Sequence, residues 1–397
     1  MKQETGLGRF VSFDNYLPEE IIKEILLRLD IKSLRRIECV CKSWQTLIRQ
    51  PSFINNHLKR QPPSVLLIGN LSAKPSYDSL INDFDFLASC RSDSLDHGVQ
   101  RYDFPPWLIV ESSDNGVLLL SDVRKTFYDC LWNPATGEFK TLPSPSTCLQ
   151  HCTIIIDLLG LGYDSLTDDF KVVRVCAKDF KSFKTDKKVF VYSLRRNSWK
   201  RMEMPYILSS SSSSSEDLPS DLWTLSGQYS SVVVNRSIHW MMAFKKEDNP
   251  NNELVIVAFD MSREVFKRID LPPDLVEFDD FMLEKFSECL SLAVTNETEV
   301  SILNIWVMKE YGVLKSWIKQ LKVDLRNFPP DLPSRFDCIR EDSTPLDLGY
   351  GGNMLILSGE SFIIWYELER NKVNYVCPTD KSMPNVWVYT KSIIRFT

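Results

Sequence analysis

The residues with the clearest potential for chemistry are Cys148, His151 and Cys152, which stand close together in the chain. Thiolate and imidazole groups bind zinc, and a structural zinc site takes four such ligands in paired spacing. No second pair follows in the sequence, and the ten cysteines form no C-x-x-C pair. A loop with buried thiols is therefore favoured over a zinc site, and we expect no bound metal.

Two other segments could carry chemistry. Residues 178–188 alternate lysine with phenylalanine, a mixture that binds single-stranded nucleic acid, but a solvated hairpin loop between strands explains it better. His239 lies in the apolar run 237–242, where a core or blade-edge histidine is more common than a catalytic base. The G-x-S-x-G, Walker and H-E-x-x-H motifs are absent from the sequence. We therefore expect no catalytic residue and no cofactor.

Charge is distributed unevenly along the 397 residues. Residues 17–60 hold nine Lys or Arg and five Asp or Glu, a balance of +4, while the whole chain carries −6, so the remainder carries −10. The acidic balance argues against general nucleic-acid binding. No apolar run reaches the length of about 18 residues that a membrane span needs, and the N-terminus lacks the apolar core of a secretory signal. We expect a protein of the cytoplasm or the nucleus.

Three short helical patterns occupy the segment from Leu17 to Ile48. Pro18 stands at the first helical position and two glutamates follow it, as is typical of a helix start. The segment is strongly apolar, and a unit of roughly 40–50 residues rarely buries that much apolar surface by itself. The surplus is predicted to cover a partner protein or the rest of the chain.

This segment resembles the plant form of the F-box, from Leu17 to about Arg60. The shared order is Leu-Pro-x-Glu-x-Ile, Ile-Leu-x-Arg-Leu, Lys-Ser-Leu-x-Arg and Val-Cys-Lys-x-Trp. Asp30 stands where the plant pattern usually has proline, and we expect it to cap the second helix. The resemblance implies a three-helix module that docks to a Skp-type adaptor and, through it, to a cullin. The contacts that it implies are Leu17, Pro18, Ile21, Ile25, Leu26, Leu29, Leu34, Val40, Cys41 and Trp44.

After Gln61 the apolar residues form short runs with strand character. The runs are rich in Val, Ile and aromatic residues and lie at 65–68, 108–110, 117–120, 172–175, 189–192, 232–234, 254–259, 300–307, 354–357 and 362–366. A longer pattern also repeats along the chain: a predicted strand, a polar turn and a second predicted strand. It occurs at 132–143, 191–205, 258–272, 305–321 and 364–376. Such repetition is typical of propeller blades, although its irregular spacing leaves a two-sheet β-sandwich or an open β-solenoid as alternatives.

The β-rich segments resemble the plant F-box-associated domain. The resemblance rests on Asn133-Pro-x-Thr-x-x-Phe, Gly160-Leu-Gly-Tyr-Asp, Asp169-Phe-Lys-Val-Val-Arg and Ile238-His-Trp, among others. The fold class that follows is α+β and mostly β, a small F-box before a large β-propeller-like domain. We predict an N-terminal tail at 1–16, the F-box at 17–60, a linker at 61–64, and the β domain at 65–397. Residues 209–217, rich in serine, are predicted to be a flexible insertion in that domain.

Runs 259–272 and 303–320 are similar to the S-locus F-box proteins of self-incompatible plants. Together the resemblances imply a non-catalytic, substrate-recognition subunit of a Skp–cullin–F-box ubiquitin ligase, which binds a client protein for ubiquitination and proteasomal degradation. The narrower implication is a pollen S-locus-type receptor whose client is an S-ribonuclease, and a basic ribonuclease would suit the charge of −10. The alternative from another class is a β-propeller binding module, lectin-like or scaffold, without a ubiquitin-ligase role.

Overall fold

The computed structural model describes residues 17–61, 63–69, 86–91, 100–102, 108–122, 128–145, 154–178, 187–203, 222–223, 231–246, 249–275, 279–296, 299–324, 345–346, 354–359, 362–370, 372–378 and 385–396. The chain divides into two compact units, residues 1–60 and 61–397. The predicted tail at 1–16, the serine-rich insertion at 209–217, the segment with Cys148, His151 and Cys152, and most of the lysine–phenylalanine run lie outside the described residues.

The first unit consists of short helices that bury one shared core. These are α1 (Glu19–Leu26), α2 (Ile31–Ile37), α3 (Lys42–Ile48) and α4 (Pro51–Leu58). The fourth helix adds to the three that the pattern predicts. It begins at Pro51, whose fixed φ and missing N–H suit the first turn of a helix. The buried apolar residues of the unit are Leu26, Leu27, Ile31, Leu34, Leu47, Ile48 and Phe53.

Asp30 caps α2, as expected from the sequence. Its carboxylate accepts hydrogen bonds from the backbone N–H and the hydroxyl of Ser33, each at 2.9 Å. The backbone bond, which is the larger cause, holds the pKa of Asp30 below its usual value because it favours the ionised form. The turn between α1 and α2 therefore needs no proline at this position.

Helix α4 holds the α1–α2 region in place. The Nε2–H of His57, which is buried, donates to the carbonyl oxygen of Leu29 at 2.9 Å, and its ring stacks on Phe53. Burial lowers the pKa of His57, which favours the neutral ring. The guanidinium of Arg60 pairs with the carboxylate of Glu24 through two bonds of 2.8 and 3.0 Å. The end of α4 is thus tied to both α1 and the turn that follows α1.

The second unit is built from antiparallel sheets of consecutive strands. The strands of its first half are β1 (Pro63–Gly69), β2 (Phe86–Arg91), β3 (Gln100–Tyr102), β4 (Leu108–Asp114), β5 (Val117–Asp122), β6 (Asp129–Asn133), β7 (Glu138–Thr141), β8 (Ile154–Asp164), β9 (Asp169–Lys178), β10 (Lys187–Ser193) and β11 (Ser198–Met202). β1 begins inside the predicted 61–64 linker.

The strands of its second half are β12 (Leu222–Trp223), β13 (Val232–Val234), β14 (Ser237–Lys246), β15 (Asn249–Asp260), β16 (Val265–Ile269), β17 (Asp279–Phe286), β18 (Cys289–Asn296), β19 (Glu299–Met308), β20 (Trp317–Asp324), β21 (Pro345–Leu346), β22 (Met354–Gly359), β23 (Phe362–Glu367), β24 (Lys372–Pro378) and β25 (Asn385–Thr390). A 3-10 turn, Leu314–Ser316, precedes β20.

The described strands form six sheets, which are the blades of a propeller. In chain order the blades are β1–β3 with β25, then β4–β7, β8–β11, β12–β16, β17–β20 and β21–β24. The first strands of neighbouring blades contact one another, and β25 contacts both β4 and β21, so the ring is closed. Every predicted strand run lies in a strand, and each repeated hairpin forms the outer two strands of a blade. The propeller prediction is confirmed, against the sandwich and the open solenoid.

The ring closes where the two ends of the β domain meet. The last strand, β25, pairs antiparallel with β1 and so supplies the inner strand of the first blade. The chain then crosses the second blade. There the side-chain amide of Asn133 donates to the carbonyl oxygens of Ser392 and Ile394 at 3.1 and 2.9 Å. The backbone N–H of Phe396 donates to the Glu138 carboxylate at 2.9 Å.

Short turns gather at one end of the blades, because the first-to-second and third-to-fourth connections of an antiparallel sheet emerge on the same side. Both residues of three two-residue turns have positive φ, as type I′ hairpins require: 115–116, 235–236 and 287–288. Longer turns are held by a side-chain carbonyl or carboxylate of their first residue. Asn133, Asp164 and Asp260 accept from backbone N–H groups two or three residues later, at 3.0–3.1 Å. We call this end the short-turn face.

Candidate functional site

Helix α1 is apolar on two faces. Leu26 and Leu27 point into the core and are 2% and 3% exposed. Ile21 and Ile25 stand four residues apart on α1, which places them on a common face, and they are 47% and 49% exposed. Leu17, which precedes the helix, is 57% exposed. A helix of a protein that works alone usually carries polar residues on its outer face. The outer face of α1 is therefore a candidate docking surface.

A second exposed apolar group lies between α2 and α3. Val40 is 66% exposed and Cys41 is exposed beside it, while Trp44 on α3 is half-buried. A hydrogen bond between the Cys41 thiol and the Ser43 hydroxyl at 3.2 Å lowers the pKa of Cys41, and backbone N–H groups at the start of α3 add to the effect. Pro18 is exposed and Leu29 is half-buried. Eight of the ten predicted contacts thus present surface.

The two others, Leu26 and Leu34, do not. They are 2% and 0% exposed and pack in the core that holds the helices together. The resemblance to the F-box names them together with the exposed residues because it matches positions of the motif, which does not distinguish a core position from a surface position. Substitutions at these two positions would test folding of the helical unit, and substitutions at Ile21 or Ile25 would test docking.

The supporting residues His57, Glu24 and Arg60 were missed by sequence reasoning. Their contacts join segments about thirty positions apart, which no local period reveals. A signal for α4 did exist, since Pro51 starts it and Phe53 and His57 stand four residues apart on one face. The candidate docking surface on α1 is therefore held in place by α4 and does not depend on α1 alone.

The free energy gained by burying this surface against a partner can be estimated. Complete burial of a Leu, Ile or Val side chain contributes about 1.5–3 kcal/mol, so each half-exposed side chain still offers on the order of 1 kcal/mol. Four such residues, Leu17, Ile21, Ile25 and Val40, together offer about 4 kcal/mol, roughly half of what a micromolar complex needs, so a tight complex requires further contacts with the partner.

The histidine that the structure describes in the β domain, His239, is buried and hydrogen-bonded. The Nδ1–H of His239 donates to the Val232 carbonyl oxygen at 3.0 Å, and the Tyr311 hydroxyl donates to its Nε2 at 2.8 Å. Complete burial lowers the pKa of His239 to about 4. This ring joins the fourth blade to the β19–β20 loop of the fifth, which matches the prediction of a core or blade-edge histidine.

The described part of the chain contains no group of three or more His, Cys, Asp or Glu side chains arranged to hold a metal ion. The cysteines at 39, 41, 130, 176 and 289 are free thiols. Across the described residues we found no helix with the length and hydrophobicity that crossing a membrane demands.

Comparisons with known proteins find a matching domain family for each of the two units. A model of the F-box domain matches residues 15–56, and a model of the F-box associated beta propeller domain matches residues 109–394. F-box protein CPR1 of Arabidopsis thaliana is 29% identical over 390 residues, covering 92% of this chain and 86% of that protein. The F-box/kelch-repeat protein At3g23880 of the same species is 26% identical over 393 residues, covering 95% of each. This chain belongs to the family of F-box proteins that carry an F-box-associated β-propeller domain.

Proposed function

We propose that this chain is the substrate-recognition subunit of a Skp–cullin–F-box ubiquitin ligase. The supporting observation is the exposed apolar face of α1, with Val40, on a unit that matches the F-box domain. F-box domains bind Skp-type adaptors in such complexes, and the adaptor in turn binds the cullin. The proposed place of action is the cytoplasm or the nucleus.

The proposed mechanism is proximity. The β propeller binds a client protein, and the helical unit ties that client to the ligase, where a ubiquitin-charged enzyme can reach its lysines. Holding two reactants together raises their effective concentration by orders of magnitude without chemistry from the holder. The client is then ubiquitinated and degraded by the proteasome, while this chain acts as an adaptor and supplies no catalytic residue.

Co-purification of the full chain with a Skp-type adaptor tests the proposal. Ile25→Asp places an unpaired charge in the predicted contact, at a cost of about 3 kcal/mol, and should weaken adaptor binding roughly a hundredfold. Ile318→Asp is the matched control, because Ile318 is 43% exposed but lies on β20. That control should bind the adaptor like the wild type.

Two results would contradict the proposal. If the wild-type chain does not bind a Skp-type adaptor, the alternative of a lectin-like or scaffolding propeller takes its place. If Ile25→Asp and Ile318→Asp both bind at full strength, the exposed face of α1 is not the docking surface. Circular dichroism of both variants verifies that the helices and sheets remain formed.

The narrower proposal is an S-locus-type receptor for a basic S-ribonuclease. It is supported by the resemblance of runs 259–272 and 303–320, which lie along β15–β16 and β19–β20, and by the net charge of −10 outside the F-box. Electrostatic capture weakens with salt, because the Debye length falls from about 10 Å at 0.1 M to about 3 Å at 1 M. Association with a basic ribonuclease should slow markedly as salt rises, and a salt-independent association rate would contradict it.

A further inference from the structure

We propose that the short-turn face of the third and fourth blades is a docking surface for an acidic protein segment with an apolar side chain. The surface consists of Arg195, Arg196, Arg236, Arg263 and Leu166. This inference rests on the proposed receptor function, since the partner would be the client.

All five side chains face solvent. Each of the four arginines is exposed, and Leu166 is 68% exposed, the highest value among the large apolar residues of the described chain. Leu166 occupies the tip of the β8–β9 turn, where a polar side chain would be better solvated. Exposed apolar side chains within a rim of arginines are typical of protein interfaces, because arginine and apolar groups anchor partners jointly.

The turns that carry these residues form one connected surface. The Arg195 guanidinium donates to the Thr167 carbonyl oxygen at 3.3 Å, which joins the two turns of the third blade. The Ser262 hydroxyl donates to the Asp164 carboxylate at 2.7 Å, which joins the third blade to the fourth. The backbone N–H of Met261 donates to the Arg236 carbonyl oxygen at 3.1 Å.

Backbone geometry fixes these turns further. Asn197, Glu264 and the pair 235–236 have positive φ, and the turns that contain them are two to four residues long. Short turns of this kind lose little conformational freedom on binding. The arginines therefore stand on a preorganised frame, in contrast to charges on a long loop.

The carboxylates of the same turns are mostly engaged in ion pairs and hydrogen bonds. Glu264 pairs with Lys171 and Lys200 at 3.0 and 2.7 Å. Asp260 pairs with Lys267 at 3.2 Å. Asp164 and Asp169 are buried. Asp164 accepts a hydrogen bond from the Thr167 hydroxyl of its own turn, and Asp169 accepts one from the Arg195 backbone N–H of the β10–β11 turn. Asp168 remains as the exposed carboxylate beside Leu166. The surface is therefore basic although the chain outside the F-box carries −10.

The positive charge of this surface determines which kind of partner can bind there. Four guanidinium groups attract carboxylates and can hold them through paired hydrogen bonds, and Leu166 adds an apolar contact. A segment of several Asp or Glu residues around one Leu or Phe satisfies both requirements. A basic protein would be repelled here, so the surface favours a different client, or a different part of a client, than the net charge does.

A labelled peptide tests the inference with the full chain bound to its Skp-type adaptor. The probe is a twelve-residue peptide of Asp and Glu with one central Phe, and fluorescence anisotropy measures its binding. Replacing Arg196, Arg236 and Arg263 with Gln should weaken binding roughly tenfold, since exposed charge pairs contribute up to about 1 kcal/mol each. Arg195 stays in place because it joins two turns. Leu166→Ser should weaken binding of the Phe peptide but not of the same peptide with Ser at its centre.

The matched control replaces Arg201, Lys319 and Lys322 with Gln, which removes the same charge from exposed positions on outer strands. This control should keep wild-type peptide affinity. Equal loss in both triple variants would show that only net charge matters, and no loss in the first would place the peptide elsewhere; either result overturns the inference. Adaptor binding is measured on the same samples, so a failure of the receptor function appears as lost adaptor binding, independently of the peptide.

Discussion

At the scale of single residues, two adjacent side chains of α1 differ in environment, one exposed and one buried. Ile25 is 49% exposed and Leu26 is 2% exposed, although both are aliphatic and neighbours in the chain. The resemblance to the F-box implies both as adaptor contacts, and hydrophobicity alone does not separate a core face from a docking face. Burial in the folded unit makes the distinction, and Leu34 falls on the core side with Leu26.

Truncation of Leu34 should therefore act on stability, and truncation of Ile25 should not. Leu34→Ala opens a cavity in the helical core and is expected to destabilise this unit by about 2–5 kcal/mol, which is most of the stability that so small a unit has. Hydrogen exchange of the full chain, followed by mass spectrometry, should show faster exchange across residues 17–61. Ile25→Ala should leave exchange there close to wild type; equal effects would contradict the assignment of core and surface.

His239 makes the β domain sensitive to acid. Its pKa is about 4 in the folded protein and about 6.5 in an unfolded chain, so the unfolded state binds a proton first as pH falls. The stabilisation due to neutral His239 is complete above about pH 6.5 and is lost progressively towards pH 4. The loss is on the order of 3 kcal/mol.

Replacing His239 with Gln should remove this pH dependence. Glutamine can donate to the Val232 carbonyl oxygen and accept from the Tyr311 hydroxyl, but it does not titrate. Urea unfolding of both proteins between pH 7 and pH 4 measures the difference in the free energy of unfolding. That difference should shift in favour of the variant as pH falls, because other titrating groups, such as Asp114, are common to both. A constant difference would show that His239 is not the responsible group.

At the scale of elements, a single cap decides where α2 begins. Asp30→Ala removes the acceptor for the Ser33 N–H and should destabilise the helical unit by about 1 kcal/mol. Asp30→Ser should restore most of that stability, since serine also caps. Thermal unfolding followed by circular dichroism at 222 nm measures both variants. If Asp30→Ser were as unstable as Asp30→Ala, the contribution of Asp30 would be something other than capping.

Elements of local origin could be predicted from the sequence. The cap at Asp30 and the repeated outer hairpins depend on residues a few positions apart, whose turn chemistry and periodicity are visible in the chain. The β10–β11 and β15–β16 hairpins are examples, each with a polar residue at the start of its turn. Helix α4 was overlooked although Pro51 marks its start, because the apolar pattern there is shorter than in α1.

Features that join distant segments could not be predicted. The buried ion pair of Arg174 with Asp129 connects the third blade to the second, and the indole N–H of Trp317 reaches the Asp270 carbonyl oxygen of the preceding blade at 3.1 Å. Such pairings depend on how blades are arranged around the ring, which strand periodicity does not encode. The number of blades likewise follows from pairing, because connections of unequal length obscure the repeat.

At the scale of the whole propeller, closure depends on a few residues at the seam. Asn133 is fully buried, and its amide donates to Ser392 and Ile394. The hydroxyl of Tyr389 accepts from the backbone N–H of Ala135 at 3.0 Å. These contacts fix the C-terminal segment across the second blade and with it β25, the inner strand of the first blade. A propeller that loses this segment has an unpaired edge on β1, and exposed strand edges promote aggregation.

Gly116 and Gly137 allow the seam to be tested with a built-in control. Both have positive φ, +78° and +73°, so replacement by alanine strains the backbone equally at the two positions, by about 1 kcal/mol. Their surroundings differ. A Cβ on Gly116 would collide with the Thr390 carbonyl oxygen and with Ser392, whereas a Cβ on Gly137 meets no atom within 4 Å.

Gly116→Ala should consequently displace the C-terminal segment, and Gly137→Ala should not. Because the obstructing atoms include backbone, the added methyl group should cost about 1–3 kcal/mol beyond the strain that both variants share. Limited proteolysis of the full chain, with the fragments identified by mass spectrometry, should show earlier cleavage near residues 391–396 in Gly116→Ala alone. Deletion of those residues should reproduce the lower stability of Gly116→Ala. Equal protease resistance in the two alanine variants would mean that the segment is not what holds the ring closed.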